Sequence, residues 1–130
     1  MGEVLLGTVE GVSRGAQAIG FYPGSLTMRY QLVLQWSPVS GLRDYDMLIE
    51  MEDLLLDKLD KQDDVDGHDF GSGDMNIFIL TDDPGACFER VKAILECRDT
   101  WASVRVAYRE ISGDEYFILF PKHLTQFDVV

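Results

Sequence analysis

The chain is poor in several things at once. It has two cysteines and four prolines in 130 residues, and its 11 Lys and Arg are outnumbered by 23 Asp and Glu. Two cysteines do not make a disulfide framework. Cys87 and Cys97 fall on or near one predicted helix, about 15 Å of rise apart, whereas a bridge needs Cα atoms within roughly 7 Å. Free thiols are the expectation. No C-x-x-C pair or Cys/His cluster points to zinc. The shortage of basic residues excludes a default nucleic-acid binder and argues against docking on anionic lipid. No apolar run approaches the ~18 residues a membrane span needs. Glu3 stands where a secretory signal carries positive charge, so a cytoplasmic protein is expected. Patterns for a nucleophile elbow, a zinc protease, a P-loop or a dinucleotide fold are missing.

What is present is an ordinary globular composition, 46% hydrophobic and 26% charged, with a net charge of −12. The length fits one domain. Residues 1–27 hold half of the 12 glycines and keep neither a strand nor a helix period. They read as a flexible arm, with residues 28–130 as a single domain. Met28 is an alternative native start, which would make the arm an upstream extension. Glu3 and Glu10 are offset by Arg14 and Arg29, so the negative charge belongs to the domain.

Within the domain, Tyr30, Leu32, Leu34 and Trp36 alternate with Gln31, Val33 and Gln35, the pattern of a half-buried strand. Residues 43–60 predict a helix with Asp44 as a cap. Asp63 to Gly73 reads as a loop holding at most a very short strand. Met75 to Leu80 is a near-continuous apolar run, as in a central strand. Asp83 followed by Pro84 marks a second helix start, with Cys87, Phe88, Val91, Ile94 and Leu95 facing inward. A strand with Ala102, Val104, Val106 and Tyr108 on one face turns at Ser112-Gly113-Asp114 into a return strand, Tyr116 to Phe120. Leu124, Phe127 and Val129 give the tail enough apolar surface to dock. This order predicts an α+β fold: a ferredoxin-like two-layer sandwich, with a mostly antiparallel sheet, two helices on one face and an extra C-terminal strand.

Three groups of residues carry the functional expectations. On the first helix, Asp46, Glu50, Asp53, Asp57 and Asp60 fall within about an 80° sector at ~100° per residue. Such a stripe is either a solvated face or a docking face for a basic partner. Glu52 projects into the opposite, apolar sector beside Tyr45, Leu48, Leu55, Leu56 and Leu59. It is a candidate buried acid whose partner is Arg105, Arg109 or His68. The segment Asp63 to Asp74 concentrates acids, glycines and His68. Setting Gly67 at the sixth position of an EF-hand puts Gln62 at the first and Gly73 at the twelfth, so that motif fails. A looser divalent-metal site from Asp64, Asp66 and Asp69 stays open, as does an acid–base pair at His68. A phosphate cradle at Gly71-Ser72-Gly73 is disfavoured, because a strand follows it rather than a helix N-terminus. His123 reads as a surface histidine.

Three stretches also carry a resemblance: Tyr30 to Gln35; Val65-Asp66-Gly67-His68-Asp69 through Gly71-Ser72-Gly73; and Asn76-Ile77-Phe78-Ile79-Leu80-Thr81 through Asp83-Pro84. Together they resemble a group of small, acidic bacterial proteins with no assigned activity. The likeness covers roughly residues 28–130. It implies a bacterial, single-domain, cytoplasmic protein and carries no catalytic residue over.

The expected function is a non-enzymatic acidic module, of the kind that neutralises or regulates a protein, docking a basic protein partner. From Asp44 to Asp74 there are twelve acids and two lysines, a net of −10. The alternative is a small-ligand or divalent-metal protein, or an enzyme, using the Asp64–Asp74 loop and Glu52. A third reading is a homo-oligomer joined through the open sheet face, with Val33 pointing outward. No catalytic residue, resident metal or cofactor is assigned.

Overall fold

In a computed structural model, residues 28–38, 44–70 and 73–129 are described, and the arm predicted for residues 1–27 lies outside them. The elements run β1 (Tyr30–Trp36), α1 (Asp44–Lys58), β2 (Asp63–Phe70), β3 (Met75–Thr81), α2 (Pro84–Leu95), a 3-10 turn (Asp99–Ser103), β4 (Arg105–Glu110) and β5 (Phe117–Phe120). The five strands form one antiparallel sheet in the order β2-β3-β1-β4-β5. The first four strands have the ferredoxin-like arrangement, and β5 is the extra strand beside β4. No helix of the described residues is long and apolar enough to cross a membrane.

Both helices pack on one face. Leu48, Met51 and Leu55 of α1 and Cys87, Val91 and Leu95 of α2 meet Leu32, Leu34, Trp36, Ile77, Ile79 and Val106 of the sheet. Each Val, Leu, Ile or Met among them, fully buried, contributes roughly 1.5–3 kcal/mol. The predicted start of α2 is observed: Asp83 accepts a hydrogen bond from the Ala86 amide at 3.1 Å, and Pro84 opens the helix. A proline there gives up an amide that had no intrahelical partner in any case.

Three expectations need correction. First, β1 is buried on both faces at its centre, not on one. Val33 is fully buried with Ala107 beneath Phe127 of the C-terminal tail, which packs on the second face with Leu124 and Val129. Gln35 fastens that tail. Its side-chain amide donates to the Asp128 carbonyl at 2.8 Å and to Asn76 at 3.0 Å, and it accepts from Arg105 at 2.9 Å. Second, Ala102 and Ser103 belong to the 3-10 turn rather than to a strand. Trp101 folds inward there to stack on Phe88 and Phe120, and the Thr100 carbonyl accepts from the Trp36 indole at 2.9 Å. Third, Tyr45 and Leu56, expected in the apolar sector of α1, are exposed.

The largest departure is β2, an eight-residue edge strand where a loop was expected. Its alternation is broken by a bulge between Val65 and Gly67, which leaves Asp66 as the extra residue. Gly67 sits at φ +138°, a region that side chains rarely enter.

Candidate functional site

The bulge decides which side chains of β2 meet the helices. Asp63 and Val65 lie opposite Thr81 and Ile79, so they share the helix-facing side. In an unbroken strand, Gly67 and Asp69 would follow them there. The extra residue exchanges the two faces. His68 and Phe70 pair with Ile77 and Met75 on the helix side, while Asp69 pairs with Asn76 on the other.

His68 is thereby aimed at α1. Its Nδ1 lies 2.9 Å from Glu52 Oε1, with the side chains 28% and 12% exposed. Tyr45, on the same flank of α1 as Glu52, sets its ring edge-on to His68 and tilted over Phe70. Of the three partners open to Glu52, the fold therefore selects His68. Arg105 and Arg109 cannot reach it, because they hydrogen-bond Gln35 and Gln31 on the far side of the sheet. A carboxylate in an apolar sector needs such a partner, since burial without one is costly.

The loop residues proposed as metal ligands do not converge. Asp64 lies opposite Leu80 and Asp69 opposite Asn76, away from the helices. Asp66 is exposed at the bulge, and His68 faces the other way. Among the described residues, no group of three His, Cys, Asp or Glu side chains could hold a metal ion. His123 is exposed.

A cluster that the sequence reading did not single out lies at the start of β2. The Asp63 side chain is fully buried, and Arg90 of α2 grips it with two hydrogen bonds, from Nε at 2.6 Å and from Nη2 at 2.9 Å. The Thr81 hydroxyl donates to it at 2.8 Å, and the Cys87 thiol also hydrogen-bonds it. Burial pushes the Asp63 carboxyl up, but the hydrogen bonds of Arg90 and Thr81 outweigh it and hold it below its ordinary 3.8. Hydrogen bonding to Asp63 raises Arg90 in turn. Burial, then the neighbouring carboxylate, pushes the Cys87 thiol far up, so it is an inert core thiol. One signal for this cluster was readable: Arg90 stands one turn on from Cys87, at the edge of the apolar sector of α2.

The five acids of the stripe are all exposed. Arg98 reaches Glu50 at 3.5 Å and Lys58 reaches Asp57 at 3.8 Å; among the described residues no ion pair involves Asp46, Asp53 or Asp60. The other flank of α1 carries Met47, Met51 and Leu54 and walls a cleft of about 510 Å³ against Arg98, Asp99 and Thr100. Not every acid of the segment is free for a partner. Asp44 is buried, Glu52 and Asp63 are paired internally, and Asp74 pairs with Arg105 at 3.3 Å. Compared with models of known families, with curated proteins and with solved structures, the chain matches none.

Proposed function

We propose that this chain is a non-enzymatic binding module that presents the acidic side of α1 to a basic protein. One observation carries the reading: Asp46, Glu50, Asp53 and Asp57 stand in solvent along one side of α1, and Asp60 is exposed just past its end. Charges of one sign on one face steer the encounter with an oppositely charged partner and favour it over others. The ion pairs with Lys58 and Arg98 leave Asp57 and Glu50 largely exposed, and such pairs are weak enough for an incoming cation to displace.

The test is a pair of charge reversals with the same net charge. A partner is captured at low ionic strength, released by salt, identified and titrated against both. The first variant changes Asp46, Glu50, Asp53 and Asp57 to Lys. The second changes the exposed Asp82, Glu89, Asp114 and Glu115. Loss of binding in the first alone supports the stripe. Equal loss in both reduces the effect to net charge and removes the reading, as does failure of any partner to elute with salt.

A second reading, a small-ligand or proton-transfer site, is supported by the 2.9 Å contact of Glu52 with His68 under the exposed ring of Tyr45. It predicts that small-molecule screening shifts the His68 ring resonances. An unresponsive His68 would leave the contact as a tie between α1 and β2.

A further inference from the structure

We infer that the partner inserts an apolar side chain into the methionine-walled groove beside the acidic stripe, so that the docking segment is a basic amphipathic helix. This rests on the acidic-face reading and adds what the stripe alone does not specify. Two hollows, of about 510 and 260 Å³, share Met47, Met51, Asp99 and Thr100 as walls and so form one groove between α1 and the 3-10 turn. In its depth Trp36, Met51 and Met75, all nearly fully buried, offer an apolar wall beside the buried Asp44. Met47 stands at the rim, 36% exposed. Methionine is unbranched and polarisable, and it adapts to differently shaped guests.

Charge fixes the kind of guest. Glu50 lines the groove on the α1 side and Asp99 on the opposite side, with Arg98 the cation between them. Among the described residues, the Arg98 guanidinium pairs with Glu50, at 3.5 Å. The walls Met47, Met51 and Leu54 each follow an acid of the stripe by one residue, at Asp46, Glu50 and Asp53. The groove and the stripe therefore run side by side along α1. A helix with apolar residues at i and i+4 and lysines or arginines flanking them matches both at once.

The probes are two synthetic peptides of equal length and equal positive charge, a leucine/lysine helix-former and a polar serine/lysine chain. Each is titrated into the full chain carrying ¹³C-labelled methionine methyls. Full burial of one leucine should make the leucine peptide bind at least about tenfold tighter. It should shift the Met47 and Met51 methyl signals, and the polar peptide should not. Met47→Ser should lower the leucine peptide to the affinity of the polar one, while Met47→Leu should preserve the gain. Thermal melts of both variants confirm folding, which a rim residue permits. Equal affinities with unmoved methyls overturn the groove and leave the acidic face standing. A tighter leucine peptide that ignores Met47 also overturns it, because the apolar contact then lies elsewhere. Failure of both peptides to bind at low salt removes the acidic-face reading as well.

Discussion

Glu52 and His68 stand sixteen residues apart in the chain and 2.9 Å apart in the fold, and a single extra residue in β2 brings them together. The bulge at Asp66 and Gly67 turns His68 and Phe70 toward α1. Gly67 has open space around it, since nothing lies within 4 Å of where a Cβ would stand. A substitution there meets no clash, only the backbone penalty at φ +138°. Gly67→Ala should destabilise the protein by about 1–3 kcal/mol in urea unfolding. Gly85→Ala, in the first turn of α2, should be neutral or stabilising by up to about 1 kcal/mol. Equal effects at both positions would mean that Gly67 is not what holds the bulge.

The same bulge explains what was legible in the sequence and what was not. Leu32, Leu34 and Trp36, the run from Met75, and Asp83 with Pro84 each follow a period or a capping rule, and those elements form where expected. β2 was hidden because its inward set, Asp63, Val65, His68 and Phe70, changes parity in mid-strand and half of it is polar. The Glu52 position was readable from helical spacing, and so was its need for a partner. Choosing His68 over the two arginines required knowing which face of the sheet each occupies. The burial of Val33 was not readable from its own strand, because the residue covering it, Phe127, is ninety-four positions away.

Asp63 should contribute to the acid sensitivity of the fold. Its folded carboxyl titrates below the unfolded value near 3.8. Its contribution is therefore complete above that value and is lost as pH falls through the depressed folded value. Asp63→Asn should remove about 3 kcal/mol at neutral pH, because Arg90 loses a buried charged partner. The variant should also show a flatter decline of melting temperature below pH 4 than the parent. A decline of unchanged slope would assign the acid sensitivity to other carboxylates.

The two free cysteines should differ in reactivity. Cys87 is fully buried with its thiol held protonated, and Cys97 is exposed just past α2. Alkylation of the native protein at pH 8, read by intact mass, should add one group, and peptide mapping should place it on Cys97. Denaturant should release the second site. Rapid native labelling of Cys87 would show that the Asp63 cluster opens readily.

The tail should hold the second face of the sheet closed. Phe127 is 8% exposed and lies over Val33 and Ala107, both fully buried. Phe127→Ala should destabilise the protein by about 3–5 kcal/mol. By uncovering that apolar face, it should also raise the sedimentation coefficient in a concentration-dependent way. A parent that already self-associates to the same extent would point to a contact elsewhere on the molecule.

The acidic stripe should weaken the isolated protein. Asp57 faces Asp53 one turn back, and it sits near the helix C-terminus, where negative charge is unfavourable. Like charges at such a spacing oppose the helix by a few tenths of a kcal/mol. Asp57→Lys turns that contact attractive and suits the helix dipole, at the expense only of the exposed 3.8 Å pair with Lys58, so it should stabilise the free chain by about 0.5 kcal/mol at low salt. The gain should shrink in 1 M salt, where screening acts within about 3 Å. The same variant should bind the basic partner more weakly. A stripe that only solvates the surface predicts the gain in stability without the loss in binding, so measuring the two together separates a docking face from a solvated one.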